Sequence, residues 1–117
     1  MVRVLIVDDD DILLDSLCRV MEKHGYESVG AATGAEAIEI IEKEPVDAVI
    51  LDYMLPDITG DKLALKMGRD IPYVFLTGIE EGLLRDVNLQ GAVFKKPPNY
   101  EMIVACIDDM ISFKEVS

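Results

Sequence analysis

The stretch VLIVDDDDIL, Val4 to Leu13, sets four aliphatic residues against four consecutive aspartates and then turns apolar again. Neighbouring carboxylates repel one another and hold their protons more tightly unless a positive group offsets the charge. Two readings follow. The run can be a solvated loop in which Asp10 or Asp11 caps the next helix, or it can be a cation site at the end of a buried strand. This window leaves both open, and the rest of the chain has to decide.

Aliphatic runs recur along the chain at Val4 to Val7, Val46 to Leu51, Tyr73 to Leu76 and Ala92 to Phe94, with a weaker one at Glu27 to Ala32. Continuous apolar strands are expected where both faces of a sheet are covered. Between the runs the period changes to that of a helix. Leu13, Leu14, Leu17, Val20 and Met21 form one stripe that Gly25 stops. Thr33 and Glu36 form a capping box ahead of Ala37, Ile38, Ile40 and Ile41, and Pro45 closes that helix. Asp61 to Met67 reads as a short third helix, and Glu80 to Leu89, with Gly82 inside it, as a weak fourth. In the last helix Asn99 can act as the cap, and Ile103, Cys106, Ile107, Met110 and Ile111 form a stripe.

Five strands alternating with five helices predict an α/β fold, an open parallel sheet wound on both faces. Ligands of such sheets bind beyond the carboxyl ends of the strands, where strand order reverses. That rule gathers residues distant in sequence: Asp8 and Asp9 after the first strand, Asp52 after the third, Thr77 after the fourth and Lys96 after the fifth. Three carboxylates, a hydroxyl and an ammonium then share one edge. No single piece is specific, but the joint placement is.

Composition limits the alternatives. The chain has 117 residues, half of them apolar and 29% charged, enough for one domain that buries roughly two-thirds of its unfolded surface. No apolar run approaches the ~20 residues needed to span a bilayer, and no secretory leader is evident, so a cytoplasmic location is expected. With 23 acidic against 11 basic residues the net charge is −12, which repels nucleic-acid backbones and anionic membranes. Cys18 and Cys106 fall within helical patterns and read as reduced core thiols. His24, near a helix end, reads as an exposed or dipole-facing residue and not as a catalyst.

These residues resemble the receiver domain of two-component response regulators, and the likeness covers essentially the whole chain. The matching positions are Asp8 and Asp9, Asp52 followed by Pro56 and Gly60, Thr77 followed by Gly78, and Lys96 followed by Pro97. The resemblance implies a five-stranded flavodoxin-like sheet in the order 2-1-3-4-5, with residues 1–117 as a single receiver standing alone. It implies Asp52 as phosphoacceptor, Mg2+ held by Asp8, Asp9, Asp52 and the Met54 backbone carbonyl, and phosphoryl contacts from Thr77 and Lys96. A cis Lys96–Pro97 bond is also implied. The partners would be a histidine kinase or phosphotransfer protein and a downstream protein target, the chain itself being a monomer or weak dimer.

The chemistry agrees with those roles. A carboxylate attacking phosphorus approaches an anion, so a divalent cation and a lysine are needed against the oxygens, and magnesium prefers oxygen ligands. Rival readings fit less well. A haloacid-dehalogenase-like phosphatase needs a second acid two positions after the first, where Met54 stands. A flavodoxin needs a hydroxyl- and glycine-rich loop where the aspartates are, and an EF-hand-like calcium loop needs a glycine that Asp8 to Leu17 lacks. A phosphorylation-independent interaction module on the same fold is the alternative from a different class. The chain also departs from the family pattern. Val93, three residues before Lys96, stands where an aromatic switch residue is common, so the switch region of Thr77 and Val93 should relay its signal differently. Met54 and Ile79 stand at the positions that the resemblance implies flank the path of a hydrolytic water; neither can hydrogen-bond to it, and slow loss of the phosphoryl group is expected.

Overall fold

A computed structural model of the chain describes residues 1–68, 70–78 and 92–116, with side chains as far as residue 113. The elements run β1 (Arg3–Val7), α1 (Asp11–Lys23), β2 (Glu27–Ala31), α2 (Gly34–Lys43), β3 (Ala48–Asp52), α3 (Gly60–Met67), β4 (Tyr73–Thr77), β5 (Ala92–Lys95) and α4 (Tyr100–Val116). All strand pairs are parallel, and the sheet order is β2-β1-β3-β4-β5. The expected strand order and doubly wound class are therefore observed, with four helices among the described residues. The weak helix anticipated at Glu80 to Leu89 lies outside them.

The continuous aliphatic runs are explained by the two faces they serve. Along β1, Leu5 and Val7 point to one core with Val49, Leu51 and Phe75, closed by Ala37 of α2 and Leu63, Ala64 and Met67 of α3. Val4 and Ile6 point to the other with Ala48, Ile50, Val74 and Leu76, closed by Leu17 and Met21 of α1 and Ile103, Ile107 and Ile111 of α4. Alternation along a strand sends neighbours to opposite faces, and because both faces are covered, both sets are apolar. The two cysteines pack at the edge of the second core and are free thiols.

Helix ends follow the local signals with one adjustment. Asp10 is the N-cap of α1 and accepts hydrogen bonds from the N–H groups of Ile12 and Leu13 at 3.1 and 3.3 Å. At α2, Thr33 Oγ1 accepts from the Glu36 N–H at 3.1 Å, but the Glu36 carboxylate reaches the Ala32 N–H instead of the Thr33 N–H that a standard box would use. Asn99 Oδ1 accepts from the Met102 N–H at the start of α4.

The third strand begins and ends later than its apolar run indicates. Val46 is buried outside the ladder, and the strand extends to Asp52, whose register partner is Leu76. The reason is pairing: the Tyr53 N–H donates to the Leu76 carbonyl at 2.9 Å, so β4 carries the ladder past the last aliphatic residue. Asp52 and Thr77 are thus the terminal residues of their strands, held by backbone bonds and not by loop conformation.

Gly60 allows the chain to return close to that strand end. Its N–H donates to the Tyr53 carbonyl at 2.6 Å, and a Cβ placed on it would lie 2.8 Å from the Asp52 carbonyl oxygen, 2.9 Å from Tyr53 Cα and 3.0 Å from Phe75 Cε1. Two of the three obstacles are backbone. Gly60→Ala is expected to destabilise the protein by about 2–3 kcal/mol through overpacking, read as a lowered urea midpoint at unchanged slope. A wild-type midpoint would mean that α3 can shift away from β3 at no cost.

Candidate functional site

Four chain segments meet at the carboxyl edge of the sheet. Asp8 follows β1 and is fully buried; its N–H donates to the Ala31 carbonyl, and its Oδ1 accepts from the Asp10 N–H at 2.9 Å. Asp8 therefore turns inward while Asp10 turns to the helix, which resolves the four-aspartate run: Asp10 caps α1 and Asp11 occupies its first turn, where negative charge is favourable. Asp9 is exposed, Asp52 is buried, and carboxylate oxygens of Asp8, Asp9 and Asp52 lie within 4.8 Å of one another.

Lys96 is the cation of the site. Its Nζ is 3.0 Å from Asp8 Oδ2 and 3.2 Å from Asp52 Oδ2, and its backbone N–H donates to the Thr77 carbonyl at 2.9 Å. The Lys96–Pro97 peptide is cis. Thr77, the last residue of β4, is buried beside these groups. Asp52 Oδ1 accepts from the Met54 N–H at 3.3 Å. Met54 itself is bridged to Thr59 across a tight loop and exposes its thioether.

Charge does not balance here. Among the described residues one ammonium faces two buried carboxylates with Asp9 close by, and the Asp52 pKa is pushed up to about 6, by burial first and then by the Asp8 charge, against the opposing effects of Lys96 and the Met54 N–H. Burial works to lower the Lys96 pKa, but its contacts with Asp8 and Asp52 outweigh this and raise it. Asp8 Oδ2 touches Lys96 as a charge contact, and among the described residues no hydrogen-bond donor is aligned on it. A buried oxygen with unfilled lone pairs, surplus negative charge and an all-oxygen donor set fit a hard divalent cation such as magnesium.

The remaining expected positions are spread more widely. Val93 lies on β5 opposite Phe75 and is partly exposed, whereas Phe94 points to the other face and packs with the α1 and α4 core. Ile79 lies outside the described residues. His24 caps the C-terminal end of α1, its Nδ1 2.9 Å from the Val20 carbonyl oxygen. Sequence reading passed over Asp57, which accepts two backbone N–H bonds from α2. Its partners are more than twenty residues away, so no local pattern marks it.

The fold and the site together define a doubly wound parallel α/β protein with an acidic pocket and a lysine at the carboxyl edge of its sheet. Residues 4–106 match the family model of the response regulator receiver domain, and the chain belongs to that family. It is 36% identical over 92 residues to the uncharacterized transcriptional regulatory protein YbdJ of Bacillus subtilis, which covers 76% of this chain and 39% of that protein. It is 38% identical over 79 residues to response regulator MprA of Mycolicibacterium vanbaalenii, covering 65% of this chain and 34% of that protein. The chain therefore spans little more than a third of the length of either relative. Among solved structures, a CheY-like receiver domain protein from Methanospirillum hungatei superposes with a TM-score of 0.85 at 30% identity, covering 98% of this chain and 97% of that one. A two-component response regulator from Clostridium difficile gives 0.86 at 27% identity over 96% and 97% of the two chains. No helix among the described residues is long and apolar enough to cross a membrane.

Proposed function

We propose that this receiver is a phosphorylatable switch in which Asp52 accepts a phosphoryl group from a histidine kinase or phosphotransfer protein. The observation that carries the reading is the Lys96 ammonium bridging Asp8 and Asp52 in a buried, over-acidic pocket. Mg2+ would be held by Asp8, Asp9, Asp52 and the Met54 backbone carbonyl, and when bound it supplies positive charge against the phosphoryl oxygens. An Asp52 oxygen attacks phosphorus, and the bond from phosphorus to the donor's nitrogen or oxygen breaks with its electron pair leaving on the donor. Lys96 is already in place to exchange its Asp52 contact for a phosphoryl oxygen. Thr77, one strand over and held through its carbonyl by the Lys96 N–H, offers the hydroxyl that follows the new group.

The output is a changed surface for a downstream protein. Thr77 ends β4, and Val93 stands partly exposed on the adjacent strand β5, opposite Phe75 and two residues before Lys95, the partner of Thr77; valine cannot fill an inner void as an aromatic ring would, so the signal passes by backbone displacement around Val93. The protein would act in the cytoplasm, and a monomer or weak dimer without direct nucleic-acid contact accords with the net charge of −12. Incubation with acetyl phosphate and Mg2+ should give a phosphoprotein detectable by mass spectrometry. Failure of the wild-type protein to take label under those conditions favours the phosphorylation-independent interaction module.

Decay of the phosphoprotein gives a further expected result. Met54 exposes a thioether beside the Asp52 edge, and Ile79 stands two residues beyond Thr77 in the chain. Neither can orient a water for in-line attack. Met54→Asn combined with Ile79→Glu is expected to speed hydrolysis at least about 10-fold by adding hydrogen-bonding partners, followed as loss of label after donor removal. An unchanged decay would assign both side chains to partner docking alone.

A further inference from the structure

The loop that follows the acceptor is fastened to the neighbouring helix α2, which covers the same face of the sheet as α3. Asp57 lies in the turn between β3 and α3, where the Leu55 N–H donates to the Ile58 carbonyl and Met54 bridges Thr59. Its two oxygens accept separately from the first two amides of α2: Oδ1 from the Gly34 N–H at 2.9 Å and Oδ2 from the Ala35 N–H at 3.0 Å. Those amides have no partner within their own helix. A second contact joins the same two segments. A Cβ on Gly34 would come within 2.3 Å of Ile58 Cγ2, and Ile58 is packed against the core shared by α2 and α3. The loop is therefore held by a bidentate polar contact and by a close approach that only glycine permits.

The fastened loop is also the one that touches the acceptor, because the Met54 N–H donates to Asp52 Oδ1. We infer that Asp57 is a positioning residue for the phosphoacceptor: by latching the 53–59 loop to the first turn of α2, it presets the Met54 backbone against the Asp52 carboxylate. This rests on the proposed role of Asp52, and it adds a residue that contacts neither the cation nor the phosphoryl group. A carboxylate held by a fixed amide enters the site with its orientation already chosen, and partners of this indirect kind typically change metal affinity by about 10-fold or more when removed.

The alternative is that Asp57 only stabilises α2, and Thr33 supplies the control. Thr33→Ala removes the helix's own side-chain cap at Glu36 and weakens the same helix end without touching the loop. In the metal-free protein, Asp57→Ala should shift the Met54 amide resonance and raise its hydrogen exchange, and in Mg2+ titrations followed by amide shifts it should weaken affinity about 10-fold. Thr33→Ala should leave the Met54 exchange at the wild-type rate and Mg2+ affinity within about twofold of wild type. Unchanged Met54 exchange and Mg2+ affinity in Asp57→Ala, or the same losses in Thr33→Ala, would overturn the inference. If the wild-type protein neither binds Mg2+ nor takes phosphoryl label, the proposed function fails, while the metal-free exchange of Met54 in the two variants still decides whether the latch sets the loop.

Discussion

Asp52→Asn is expected to abolish phosphoryl labelling by acetyl phosphate and Mg2+ while making the metal-free protein more stable at neutral pH. The loss follows from chemistry, since an amide oxygen is a poor nucleophile, and Asp8, which shares the burial and the Lys96 contact, is assigned to the cation and not to the phosphoryl group. The gain follows from the sign of the pKa shift. Asp52 titrates at about 6 in the folded protein against 3.8 ordinarily, so folding is opposed by the ionised form. That opposition is complete above about pH 6, falls as the pH drops through the folded value, and vanishes below 3.8, where the carboxyl is protonated in both states. A shift of this size, discounted for partial solvent screening, corresponds to about 1–2 kcal/mol. Urea unfolding of the two proteins from pH 4 to 8 should show the advantage of Asn emerging across that window. Full labelling of the Asp52→Asn protein would remove Asp52 as acceptor.

The same residue shows which parts of the site the sequence reveals. β1, β3 and β4 are readable because strands covered on both faces have no polar positions to interrupt them, and α1 is readable because Asp10 caps a clean stripe ending at Met21. The edge of the sheet follows from those strands, and with it the meeting of Asp8, Asp52, Thr77 and Lys96. Where β3 stops is a different matter. The aliphatic run ends at Leu51, but the ladder with β4 continues one residue further and fixes Asp52 in extended backbone. Pairing across strands makes that choice, and pairing leaves no mark within one strand.

Two other features depend wholly on tertiary contact. Lys96 was expected to face a phosphoryl group, and its ammonium divides between Asp8 and Asp52; the role of Asp8 as its partner appears only once β1 and β5 converge on the same edge. Asp57 satisfies amides of a helix that begins 23 residues earlier in the chain. A lone aspartate after a proline carries no signal of that attachment. Carboxylates on loops are common, and only the position of α2 separates this one from a solvated residue.

Lys96→Met tests the other side of the electrostatic balance and should act opposite to Asp52→Asn. Methionine keeps most of the aliphatic stem, so the change removes charge with little loss of packing. Asp8 and Asp52 would then face each other buried and uncompensated, a situation that costs about 3 kcal/mol or more when the pair is fully enclosed. Lys96 retains some solvent access, which places the expected loss nearer about 2 kcal/mol in metal-free protein at pH 8. Three manipulations should recover it, each by removing surplus negative charge: lowering the pH below 6, adding Mg2+, or introducing Asp52→Asn. In the Asp52→Asn background the further substitution of Lys96 should therefore cost much less than in the wild type, a coupling that a double-mutant cycle measures directly. Labelling should fall about 100-fold in Lys96→Met even at saturating Mg2+, because charge developing on the phosphoryl oxygens loses a preorganised ammonium. An equal stability loss in both backgrounds would mean that Lys96 contributes through its stem alone, and that the pocket tolerates two buried carboxylates without a cation between them.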